Sequence, residues 1–131
     1  MKIKELGHVV LYVRDLDASL RFYRDILGLK EQGRGKSGRI AFLTAGAHHH
    51  DLALEARGPN APRPPAGSTG LYHIAFKVGD DLVTLEEARR HLETHGLEIF
   101  GEAGNSISVR DPDGHQVELY VDVGAEEVRT R

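Results

Sequence analysis

The run from Leu6 through His8-Val9-Val10-Leu11-Tyr12-Val13 is rich in β-branched and aliphatic residues and ends at Arg14-Asp15, which predicts a strand. The period then changes. Leu16, Leu20, Tyr23 and Leu27 recur at spacings of four, three and four, one apolar stripe on a helix that Asp15 or Asp17 can cap at its start and Gly28 at its end. Three shorter strands are expected over Leu29 to Gln32, Arg39 to Ala45 and Asp51 to Arg57, with Gly33 to Gly38 as a flexible hairpin loop between the first two. Four of the five prolines fall between Gly58 and Gly70, a composition that breaks regular structure and makes a stiff connector.

After the connector the order restarts. Leu71 to Val78 reads as a strand, Thr84-Leu85-Glu86-Glu87 as a capping box opening a helix that runs to His95 and stops at Gly96. Leu97 to Glu102, Ser106 to Arg110 and His115 to Val121 supply three more strands, with Asp111-Pro112-Asp113-Gly114 as the turn before the last. His8 and His73, Leu6 and Leu71, and Val13 and Val78 are each 65 positions apart, about half of the 131 residues. The chain therefore reads as a duplicated strand-helix-strand-strand-strand unit of the α+β class, each copy a curved sheet with a helix on one face. Two such sheets meeting by their open faces would enclose a cup. The expected organisation is one domain over 1–131: a first module over about 4–57, the connector 58–70, a second module over about 71–123, and a charged, frayed tail 124–131.

Alternation assigns faces within the last strand: Val117, Leu119 and Val121 form the set expected under a helix, which turns Gln116, Glu118 and Tyr120 to the open face. His8 and His73 share one register of the repeat, so an approximate twofold axis would bring both imidazoles near the same place. Two imidazoles and one carboxylate converging in a cup make a facial triad with open coordination positions, suited to ferrous iron and other divalent first-row metals. Either histidine alone would more often be an ordinary hydrogen-bonded side chain; the joint pattern carries the reading.

Composition narrows the chemistry. Cysteine is absent, which excludes a disulfide scaffold, a thiolate metal site and a cysteine nucleophile, and leaves eight histidines as the tunable ligands. With 20 acidic and 17 basic residues the formal charge is -3, which argues against a nucleic-acid or anionic-membrane partner. Nowhere do about 18 apolar residues run together, and Met1-Lys2-Ile3-Lys4-Glu5 does not open like a secretory signal, so a cytoplasmic protein is expected.

Leu6-Gly7-His8-Val9-Val10-Leu11-Tyr12-Val13-Arg14-Asp15-Leu16, Phe22-Tyr23, Leu27-Gly28-Leu29, Leu71-Tyr72-His73-Ile74-Ala75-Phe76 and Asp111-Pro112-Asp113-Gly114-His115-Gln116-Val117-Glu118-Leu119-Tyr120 together resemble the vicinal oxygen chelate superfamily. Its members include glyoxalase I, extradiol dioxygenases, fosfomycin-resistance proteins, methylmalonyl-CoA epimerase and bleomycin-resistance proteins. The resemblance implies paired βαβββ modules in a cupped, mostly antiparallel sheet, with His8, His73 and Glu118 at the family's metal-ligand positions. It implies a divalent metal, with Fe(2+) favoured and Mn(2+), Ni(2+) or Zn(2+) as alternatives, and a small-molecule substrate. A homodimer is also expected, since such modules pair within a chain or between chains.

His48-His49-His50, the short apolar strand after it, the proline-rich connector and Gly70-Leu71-Tyr72-His73 are similar to single-domain relatives of catechol 2,3-dioxygenase. That likeness implies extradiol ring cleavage with His50 at the catalytic histidine position, while His48 and His49 read as a solvated loop. In the extradiol pattern a tyrosine sits three residues before the Asp-Pro turn; here Ser108 stands there, a shorter and less acidic hydroxyl. The rival is glyoxalase I-type lyase, isomerase or epimerase chemistry, in which Glu55, related by the repeat to Glu118, is a fourth ligand. In a regular strand His50 and Glu55 have opposite parity, so both face inward only if His50 lies outside the strand or a bulge intervenes. A fosfomycin-type thiol transferase lacks an evident basic cluster for a phosphonate. A metal-free drug-binding protein would favour aromatic walls, and this chain has no Trp and 6% aromatics.

Overall fold

The computed structural model describes residues 1–123; the charged stretch 124–131, read above as a frayed tail, lies outside the described residues. The chain divides into two compact units, Met1–Pro64 and Pro65–Arg131. In the first, β1 (Val9–Val13), α1 (Leu16–Leu20), β2 (Lys30–Gly35), β3 (Ile40–Thr44) and β4 (Leu52–Ala56) follow in order. They form one sheet in the order β1-β4-β3-β2, with β1 parallel to β4 and the other pairs antiparallel. Leu11, Val13, Ala41, Leu43, Leu52 and Leu54 are buried together on the face that α1 covers through Leu16 and Leu20. Each large side chain so buried contributes about 1.5–3 kcal/mol of transfer free energy.

Two details differ from the pattern-based expectation. The first strand begins at Val9, not Leu6, because its partner β4 offers no residue to pair before Val9 meets Leu52, and Leu6 is left exposed. The helix is α-helical only to Leu20; over Arg21–Ile26 it widens, with the Leu27 N–H donating to the Phe22 carbonyl five residues back at 2.9 Å. The wider turn rotates the stripe, so that Phe22 and Tyr23 are both buried while Leu27 is only half-buried. Asp15, rather than Asp17, is the cap: its Oδ1 accepts from the Asp17 N–H at 3.0 Å.

The second unit repeats the order with β5 (His73–Gly79), α2 (Leu82–Thr94), β6 (Phe100–Ala103), β7 (Ser106–Arg110) and β8 (Gln116–Val121). Its sheet runs β5-β8-β7-β6, again with the first pair parallel and the others antiparallel. Val117, Leu119 and Val121 are buried with Ile107 and Val109 on the side where α2 packs through Leu85 and Leu92. The helix starts three residues earlier than the capping box predicts. Asp81 is its cap, accepting from both the N–H and the hydroxyl of Thr84 at 2.8 Å, and these bonds hold its carboxyl below the usual range. Each unit is thus a βαβββ arrangement in a mixed, mostly antiparallel sheet of the α+β class. Among the described residues no helix is long and apolar enough to cross a membrane.

Candidate functional site

In the second unit, residues paired across strands share a face. Ala75 lies opposite Glu118 in the parallel β5/β8 ladder, and Ser108 lies opposite Glu118 in the antiparallel β7/β8 ladder. His73, Gln116, Glu118, Tyr120 and Ser108 therefore stand on the face away from α2, as the alternation predicts. The His73 Nε2 is 3.3 Å from the Glu118 Oε2, with about a quarter of each side chain exposed. Divalent first-row metals bind nitrogen and oxygen donors at roughly 2.0–2.2 Å, so neighbouring donors in a shell stand about 3 Å apart. The His73 and Glu118 atoms fit that spacing. The other ring nitrogen, Nδ1, is buried and has no hydrogen-bond partner among the described residues. Ser108 is buried and accepts from the Gln116 side-chain amide at 3.3 Å, so the residue in the tyrosine's place is covered by a neighbour and does not reach out from the sheet.

In the first unit, His8 immediately precedes β1, and its ring centroid is 4.4 Å from that of His50. The His50 ring also lies 5.1 Å from Phe42, and its Nδ1 is 2.9 Å from the Nδ1 of His49. His50 sits two residues before β4 begins at Leu52, so strand parity does not bind it and it turns to the side of His8 and Phe42. Partial desolvation, then the neighbouring His8 and His49, push its pKa below the ordinary imidazole value.

Sequence reasoning missed what holds this loop. Asp51 accepts from the Ala45 N–H at 2.8 Å and from the His48 Nδ1 at 2.8 Å, while Thr44, itself buried, donates to the His48 carbonyl at 2.7 Å. The Ala45 amide above all, with His48 after it, holds the Asp51 carboxyl below its usual range, and Asp51 in turn raises the His48 imidazole. An Asp directly after a histidine run and before a buried strand was the available signal.

Glu55 is buried in β4 opposite Tyr12 and Ile40, and its Oε1 is 2.6 Å from the Lys36 ammonium. The Lys36 hydrogen bond is the main cause of its lowered pKa. Lys36 belongs to the short helical turn Lys36–Gly38, which together with the end of β2 replaces the expected flexible loop. Asp111, Asp113 and His115 also bring three potential ligand atoms within 4.8 Å of one another. Their chemistry is that of the turn: Asp111 Oδ1 accepts from the Asp113 and His115 N–H groups, and Oδ2 lies 2.8 Å from the His115 Nδ1.

Residues 5–119 match the family model described as the Glyoxalase/Bleomycin resistance protein/Dioxygenase superfamily. The chain is similar to the catechol-2,3-dioxygenase of Bacillus subtilis (strain 168), 35% identical over 121 residues, which cover 89% of this chain and 41% of that protein. It spans about two fifths of that relative's length. It is also 32% identical to the glutathione transferase FosA of Serratia marcescens, over 91% of this chain and 82% of that one. Among solved structures, a glyoxalase/dioxygenase from Nostoc punctiforme superposes with a TM-score of 0.74 at 25% identity, covering 91% of each chain.

Proposed function

The chain belongs to the Glyoxalase/Bleomycin resistance protein/Dioxygenase superfamily, and from that premise we propose that it is a divalent-metal-dependent, extradiol-type ring-cleaving dioxygenase acting on a small catechol-like substrate. In this reading His8, His73 and Glu118 hold the metal, Fe(2+) before Mn(2+), Ni(2+) or Zn(2+), the ligands drawn from one chain or from two copies of it. When bound, such a metal supplies a Lewis acid and redox centre for the vicinal oxygens of the substrate.

The remaining work falls to side chains. Glu118 contributes the anionic donor and His73 the neutral one. His50, with its pKa lowered, is neutral near pH 7 and takes the proton of a substrate hydroxyl, then returns it to the product. Phe42 beside it presents an apolar surface to an aromatic ring. The reading includes a homodimer in the cytoplasm; Val10 and Tyr12, at alternate positions of β1 in phase with His8, leave apolar surface exposed that a second copy would cover.

One observation carries the choice between oxygen chemistry and the glyoxalase I-type alternative. His50 stands beside His8, whereas the carboxylate that the alternative needs, Glu55, is held by Lys36. The test is anaerobic reconstitution with Fe(2+), addition of catechols, then air. A yellow ring-opened product is expected. No product there, together with isomerisation of a hemithioacetal by the Ni(2+)- or Zn(2+)-loaded protein, would replace this reading with the alternative.

A further inference from the structure

The second unit carries another pair of imidazoles, at the far end of α2. His91 and His95 are four residues apart, so they stand one above the other on the helix, with ring centroids 4.6 Å apart and planes tilted by 58°. Both residues are exposed, while Leu92 between them in sequence is buried and fixes which side of the helix faces the sheet.

The second ring is also held in a defined state. His95 Nδ1 lies 3.0 Å from the carbonyl oxygen of His91. A carbonyl only accepts, so Nδ1 carries the proton and the lone pair is left on Nε2. Metal-binding histidines are commonly oriented in this way, one ring nitrogen donating to a carbonyl and the other facing the ion. His95 is the C-cap residue, and Gly96, with φ +76°, ends the helix directly after it, so the ring sits where the last carbonyls make the helix end electronegative. Either ring nitrogen of an imidazole can ligate a metal.

We infer that His91 and His95 form a bidentate surface site for a borderline first-row divalent ion, Cu(2+), Ni(2+) or Zn(2+), separate from the His8, His73 and Glu118 set. Imidazole pairs without carboxylate favour these ions over Mg(2+), Ca(2+) or Mn(2+). A metal titration of the whole protein therefore counts one more copper or nickel ion than the proposed catalytic centre accounts for, and this excess is insensitive to changes at Glu118.

The probe is Cu(2+), added in substoichiometric steps to the full-length, isotopically labelled protein while backbone amide signals are followed. Paramagnetic broadening is expected around residues 88–96. In calorimetric titrations the double variant His91→Ala/His95→Ala should bind one Cu(2+) fewer than wild type, and each single variant should bind at that site about tenfold or more weakly. Circular dichroism of these exposed-site variants should be unchanged. Protons compete with metal ions for imidazole nitrogens, so the broadening should vanish on acidification to about pH 5. Sharp signals around residues 88–96 at saturating Cu(2+), an unaltered ion count in the double variant, or broadening that persists at pH 5 would each overturn the inference.

Discussion

The Nε2 of His73 and the Oε2 of Glu118 come within 3.3 Å across the parallel β5/β8 ladder although the two residues are not paired in register. His73 pairs with Gln116 and Glu118 with Ala75, so the contact is diagonal, between side chains two residues apart on the same face. The small Ala75 opposite Glu118 leaves room for the carboxylate to lean toward the imidazole.

Glu118→Gln removes the charge while keeping shape and strand pairing. Metal affinity is expected to fall by about a hundredfold or more, beyond the 10–100-fold that follows loss of an outer hydrogen bond to a metal ligand. Elemental analysis after gel filtration measures it. Unchanged metal content would remove Glu118 from the ligand set.

His50→Gln keeps a polar side chain but removes the titrating ring. Ring cleavage is expected to slow by about 10²–10⁴-fold, the usual worth of a positioned general acid or base, while bound metal stays at the wild-type level. Steady-state oxygen consumption on the Fe(2+)-loaded protein checks it, and an unaltered rate would take the proton-transfer role from His50.

The face assignment in β8 was legible because its neighbours on both sides impose the same alternation: Val117, Leu119 and Val121 are buried and Gln116, Glu118 and Tyr120 are not. The first helix was only half legible. Its apolar spacing fits an ordinary helix, and nothing in the pattern encodes the five-residue hydrogen bond at Leu27 that brings Phe22 inward. The partner of Glu55 was illegible for a different reason: Lys36 lies 19 positions away in a turn where Lys36 and Ser37 adopt positive φ, and no periodicity reports such a geometry. The surroundings of His50 were out of reach because a loop residue has no parity, so only the Thr44 and Asp51 bonds decide where it points.

Those bonds make Asp51 the anchor of the histidine loop. Asp51→Ala is expected to destabilise the protein by about 0.5–1.5 kcal/mol at pH 7, since it removes the acceptor of the Ala45 N–H and the partner of the His48 Nδ1. The carboxyl's pKa is lower folded than unfolded, so its contribution is full above the unfolded value of about 3.9 and fades as pH falls through the folded one. Denaturant unfolding of wild type and variant should therefore differ at pH 7 and converge in strong acid. A gap that stays constant down to pH 2 would mean that the loss is not electrostatic.

Gly79 closes β5 where the ladder with β8 slips by one residue, and a Cβ there would lie 2.5 Å from the Thr84 Cγ2 and 2.9 Å from its Cβ. Thr84 is fixed by its two bonds to Asp81, so it cannot yield cheaply. Gly79→Ala is expected to cost about 1–3 kcal/mol, with part recovered by Thr84→Ser in the same chain. Thermal unfolding of the two variants tests this, and a neutral Gly79→Ala would show that the start of α2 can shift.

Glu55 separates the two chemistries most cleanly. If it were a fourth metal ligand, Glu55→Gln would lower metal affinity and abolish proton transfer on an enediolate. Its oxygen is instead 2.6 Å from Lys36, on the sheet face that Glu55 shares with Ala53, Tyr12 and Ile40. Neutralising it should therefore leave both metal content and ring-cleavage rate at wild-type values. Lys36→Ala should do the same for the metal while letting the Glu55 carboxyl titrate closer to its ordinary value, because the main cause of its lowered pKa is gone. Carboxyl titration followed by NMR, run beside the metal analysis, reads both effects. Loss of metal in Glu55→Gln, with the fold intact, would move the protein to the four-ligand, enediolate-holding chemistry.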